Sequence, residues 1–92
     1  KRIFMDYVLS KEYKRDLKKL PVEIQSGPEY AEVLYCLFNQ KSLPERYKDH
    51  ALQGNWQGFR DCHIKNDLVL IYKIEADTLY FARLNSHSEV FK

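Results

Sequence analysis

Three apolar runs in the C-terminal half, residues 59–64, 68–75 and 78–84, are separated only by Lys65-Asn66-Asp67 and Ala76-Asp77. Separators this short suit hairpins, so each run is expected to lie antiparallel to the next. A meander of three strands is therefore the frame to which everything upstream must attach.

Upstream, residues 3–9 set Ile3, Met5, Tyr7 and Leu9 against Phe4, Asp6 and Val8, an alternation that suits a strand buried on at least one face. Ser10 is a plausible N-cap for a helix running to about Lys19. In that helix Tyr13, Leu17 and Leu20 recur at helical spacing and form the core stripe. Lys11, Lys14, Arg15 and Lys18 follow the same spacing on a different face. Pro21 and Ser26-Gly27-Pro28 break the chain, and Pro28 suits the first turn of a second helix reaching about Gln40. Its apolar set is Tyr30, Val33 or Leu34, Leu37 and Phe38. The order is β-α-α-β-β-β. This predicts an α+β domain spanning residues 1–92, with a mainly antiparallel four-stranded sheet and a two-helix hairpin on one face.

At 92 residues the chain is read as one domain with one modest core. No apolar stretch approaches the roughly 18 residues needed to span a bilayer, so no membrane partner is expected. The first residues lack the apolar core of a signal peptide. Cys36 and Cys62 fall in different expected elements and are read as reduced core thiols, which points to the cytoplasm. A net charge of +2 says little about partners. The crowding of Lys11, Lys14, Arg15 and Lys18 says more: it is either a solvated helix face, with Arg15 paired to Glu12 and Lys19 to Asp16, or a stripe that contacts phosphates.

Residues 41–58 hold no regular period and contain Pro44, Gly54 and Gly58, so they form a long loop for so small a domain. His50 lies in it. His63 lies near the end of the next run, with Asp67 across the turn, and His87 and Phe91 follow the last run. These are the only three histidines, each in or beside a polar segment. Histidine moves protons near neutral pH, and an aspartate that accepts an imidazole N–H fixes its tautomer. Any single loop histidine is more often an ordinary surface group; three of them with Asp67 make acid–base chemistry a serious reading. Trp56 and Phe91 suit packing or stacking on exposed bases. Arg60 and Arg83 suit ion pairing or clamping a phosphate. No two histidines lie close in sequence, which disfavours a zinc site, and no metal or other cofactor is expected.

Taken together, Tyr47-Lys48-Asp49-His50, Leu52-Gln53-Gly54-Asn55-Trp56, Phe59-Arg60-Asp61 with His63, Asp67 with Leu70-Ile71-Tyr72, and Arg83 through Ser86-His87 to Phe91 closely resemble the YafQ branch of the RelE superfamily of bacterial toxins. The resemblance covers the whole chain in layout and the part from Tyr47 onward in motif. One departure is Asn85, where such proteins usually have glycine; asparagine tolerates a positive φ, so the turn before His87 is expected to survive. The resemblance implies a ribosome-dependent messenger-RNA endoribonuclease, held inactive by a cognate antitoxin, that reaches operator DNA only through the antitoxin complex. It implies an active site of His50, His63, Asp67, His87 and Phe91. RNA contacts from Arg60 and Arg83, and from the basic residues Lys11, Lys14, Arg15 and Lys18, are expected from their charge alone; the N-terminal half matches the family only in pattern. The alternative is a member of the same fold that binds RNA or an antitoxin without cutting.

Overall fold

A computed structural model describes residues 5–92. The chain runs β1 (Asp6–Leu9), α1 (Lys11–Lys19), α2 (Val22–Gln25), α3 (Pro28–Phe38), β2 (His50–Ala51), β3 (Arg60–Lys65), β4 (Leu68–Glu75), β5 (Thr78–Ser86) and α4 (His87–Val90). Short 3-10 turns at Glu45–Tyr47 and Gly54–Trp56 order the stretch that was expected to be a loop. The meander forms as expected, and Ser10 caps α1 by accepting from the Tyr13 N–H at 2.9 Å. Pro28 opens α3, and Val33 rather than Leu34 is its fully buried residue.

The sheet differs from the four-stranded antiparallel expectation. It has five strands in the order β1-β5-β4-β3-β2, and β1 pairs with β5 in parallel while the other pairs are antiparallel. A parallel neighbour so distant in sequence leaves no local turn signal, and a two-residue strand such as β2 leaves no periodicity. β1 is also more open than its alternation suggests. Tyr7 and Val8 are exposed, and Met5 and Leu9 turn inward. Ile3 and Phe4 of the expected strand lie outside the described residues.

The two faces of the sheet have different covers. On one, α1 and α3 bury Tyr13, Tyr30, Val33 and Leu37 against Cys62, Leu70, Tyr72, Leu79, Phe81 and Leu84. On the other, Val69 and Ile71 are covered by Val90 and by Leu52, Trp56, Phe59 and Phe91 from the loops and α4. The β4–β5 register shifts between Ile71 and Tyr72. The shift leaves Ala82 as an extra residue, so that Phe81 and Leu84 both face the helices. Cys36 and Cys62 are buried free thiols. Among the described residues no helix is long and apolar enough to cross a membrane.

Candidate active site

The strand register gathers the histidines. β2 is only two residues long, yet it sets His50 opposite Asp61 of β3. Alternation along β3 turns Asp61 and His63 to the face that carries Ile71 and Val69, their register partners. A register shift just after His63 marks a bulge at that end of β3, as is common beside functional sites. The β3–β4 turn then meets the start of α4: the His87 N–H donates to the Asp67 carbonyl at 3.2 Å, with the Asp67 carboxylate at 3.4 Å. Ser86 caps α4 by accepting from the Glu89 N–H, and Val90 packs down on Val69 and Ile71. His87 and Phe91 therefore return to the same face, with their rings 4.7 Å apart.

Asp61 lies at the centre. It is only 1% exposed. His50 Nε2 stands 3.8 Å from one of its carboxylate oxygens and His63 Nε2 3.9 Å from the other. The two imidazole rings are 6.5 Å apart. Both separations are longer than hydrogen bonds, and Asp61 Oδ1 has no hydrogen-bond partner among the described residues. Burial pushes the Asp61 carboxyl above the ordinary aspartate range, and the charges of His63, His50 and His87 pull it part of the way back. All three histidines thus act on one buried carboxylate.

His50 is held from its other side. Its Nδ1 lies 2.8 Å from the Lys48 carbonyl. A carbonyl only accepts, so Nδ1 carries the hydrogen, and in the neutral ring the lone pair is on Nε2, the nitrogen beside Asp61. In that tautomer Nε2 is the nitrogen that can accept a proton, and the adjacent carboxylate would stabilise an imidazolium formed there.

The residues singled out in the sequence take the following partners, some of them other than expected. The sequence suggests Asp67 as the partner of His63; in the structure Asp67 contacts the backbone of His87, and the carboxylate beside His63 is Asp61. Asp61 lay within the quoted motif, but alternation alone did not reveal that a two-residue β2 would bring His50 to it. Arg60 points to the helix face, where it grips Asp49 through Nε at 3.3 Å and a terminal nitrogen at 3.0 Å. Arg83 donates to Asp16 from Nε at 2.8 Å and a terminal nitrogen at 3.1 Å. Both guanidiniums already have a carboxylate partner. Asp16 therefore pairs with Arg83 rather than Lys19. Asn85 lies in β5 without a positive φ, and its side chain donates to Asp16 at 3.1 Å. Lys11, Lys14, Arg15 and Lys18 are exposed on α1, which packs on the sheet face opposite the histidines. Trp56 packs edge-on to Phe59 at 5.3 Å. Among the described residues no group of three or more His, Cys, Asp or Glu is arranged to hold a metal ion.

Residues 5–92 match the family described as bacterial toxin of type II toxin–antitoxin system, YafQ. The chain belongs to the YafQ toxin family. A YafQ relative from Haemophilus influenzae is 48% identical over 87 residues, covering 87% of this chain and 85% of its own length. The mRNA interferase toxin YafQ of Escherichia coli K12 is 36% identical over 94% of this chain and 95% of its own. Among solved structures, the crystal structure of the E. coli DinJ-YafQ complex matches with a TM-score of 0.78 at 32% identity, covering 96% of this chain and 99% of that one. The five-stranded mixed sheet with helices is thus the architecture of a YafQ-family toxin.

Proposed function

We propose that this YafQ-family toxin is an mRNA endoribonuclease that cuts by metal-independent attack of the RNA's own 2′-hydroxyl on the adjacent phosphate. The observation that carries the reading is the pair of imidazoles flanking buried Asp61, with His87 close enough to act on the same charge. The kinship with a relative named mRNA interferase supports it.

In this reaction His50 Nε2 removes the 2′ proton, and Asp61 stabilises the imidazolium that forms. The 2′ oxygen bonds to phosphorus as the bond to the 5′ oxygen breaks, and His87 donates a proton to the leaving oxygen. Each transfer contributes roughly 10²–10⁴-fold. His63, paired to Asp61, binds the scissile phosphate or assists transfer. Asp67 fixes the start of α4 and so sets where His87 stands. Phe91 aligns a base next to the cut by stacking. With Arg60 and Arg83 engaged by Asp49 and Asp16, the positive charge facing the phosphate comes from imidazolium rather than from unpaired guanidinium. The products are a 2′,3′-cyclic phosphate, or its opened 3′-phosphate, and a 5′-hydroxyl.

The substrate is messenger RNA in the decoding site of the ribosome, which places the activity in the cytoplasm. A cognate antitoxin binds the chain, a reading supported by the E. coli DinJ-YafQ complex. In this proposal the antitoxin holds the chain inactive, and contact with operator DNA runs through the toxin–antitoxin pair. Inducing the chain without antitoxin and mapping transcript 5′ ends tests the reading. Cuts in register with codons are expected, and they should disappear in His87→Ala. Growth and transcripts unaffected by the parent chain would leave a non-catalytic RNA- or antitoxin-binding protein instead.

A further inference from the structure

His50 sits on a two-residue edge strand and is half exposed, so β2 alone holds it weakly. The residue before it is differently placed. Successive side chains in a strand point to opposite faces, and Asp49 turns to the helix face while His50 turns to Asp61. There the Tyr72 hydroxyl donates to Asp49 Oδ1 at 2.5 Å, and Arg60 donates to both carboxylate oxygens. Tyr72 is buried in the main core, and Arg60 is its register partner on β3. Asp49 is thus bound to the central strands and, through Tyr72, to the buried core. On its other side Lys48 adopts a left-handed conformation, φ 49°, which turns its carbonyl to His50 Nδ1.

We infer that Asp49 is a positioning residue for His50, locked through the sheet by Tyr72 and Arg60, and that this lock decides which imidazole nitrogen of His50 receives the proton. The inference deepens the proposed reaction and, for its catalytic consequence, rests on it. Without the lock, Lys48 has no fixed neighbour on its C-terminal side and its carbonyl is not held against Nδ1. The imidazole can then carry its hydrogen on Nε2, which points a donor instead of a lone pair at the site.

The experiment uses the full chain, with Tyr72→Phe and Asp49→Ala as separate variants. Long-range 1H–15N spectra of the imidazoles report the tautomer of each histidine without any substrate. The parent chain should show His50 with its hydrogen on Nδ1. In both variants His50 should shift to a mixture containing the Nε2–H form, while His63 and His87 stay unchanged. Cleavage of ribosome-bound message should lose about 10²-fold in kcat with KM little changed, the usual scale for a misplaced reacting group. A His50 tautomer identical to the parent's in both folded variants overturns the inference. If a variant fails to fold, Arg60→Lys, which keeps the charge and loses the two-nitrogen grip, gives the same reading. If the tautomer shifts as expected and His50→Ala still cuts at the parent rate, the lock stands and the proposed reaction falls.

Discussion

A carboxylate removed from water loses hydration that ion pairs at 3.8 and 3.9 Å restore only in part, and Asp61 is left with one oxygen unbonded among the described residues. Its proton affinity is raised, so the folded chain holds a proton at Asp61 at pH values where the unfolded chain has lost it. Stability therefore falls as pH climbs from the ordinary aspartate value of 3.8 through the raised one. Asp61→Asn should stabilise the fold at pH 7, by up to about 2 kcal/mol, and lower cleavage sharply. The stability gain should shrink near pH 3, where Asp61 is protonated folded or unfolded. Urea unfolding at the two pH values measures this, and a variant less stable than the parent at pH 7 contradicts it. His87→Ala, at an exposed position, should abolish cleavage and leave the unfolding midpoint within about 0.5 kcal/mol of the parent.

Among the elements, α1 is fastened to β5 where β1 stops. The ladder of β1 ends at Leu9 opposite Phe81, and Ser10 closes it by donating from its backbone to Phe81 and from its hydroxyl to Ala82 at 2.7 Å. Beyond that point the backbone N–H of Leu84 donates to Asp16 at 2.9 Å, so a side chain of α1 takes the place of a strand. Burial would push the Asp16 carboxyl up, but hydrogen bonds from Arg83, Leu84 and Asn85 outweigh it and hold the group below 3.8. A depressed carboxylate contributes stability above its unfolded value, and that contribution is lost as pH falls through the folded one. Asp16→Ala should then cost about 3 kcal/mol at pH 7, because it strands Arg83, and much less under acid conditions. Thermal unfolding across pH tests this; a cost independent of pH would remove the ion pair from the account.

The molecule as a whole presents two unlike sides. The histidines lie on the sheet face covered by α4 and loops, and the exposed Lys11, Lys14, Arg15 and Lys18 belong to a helix packed on the other face. Under the proposed reaction, cutting one RNA strand would not need basic residues from the far side, but a chain seated inside a ribosome would meet phosphates on several sides. Reversing these four charges should weaken ribosome binding with a reduced salt dependence of what remains, while the tautomer of His50 and the fold stay as in the parent. Sedimentation with ribosomes at two salt concentrations is the measurement. Unchanged binding would make α1 a solvated face and nothing more.

Local chemistry determined the parts that were legible in sequence. Short separators made the meander, Ser10 and Pro28 opened the helices, and the periodic apolar residues Tyr13, Leu17, Leu37 and Leu70 entered the core. The motif also marked His50, His63 and His87 as a group and tied the chain to its family. Only the folded chain decided that β1 would lie parallel to β5, that β2 would exist, and that Asp61 rather than Asp67 would stand between two imidazoles. It likewise decided that Arg60 and Arg83 would meet Asp49 and Asp16, 11 and 67 residues away. Periodicity and turn residues act within a few positions, whereas strand register and ion pairing join positions that have no neighbourhood until the core has formed.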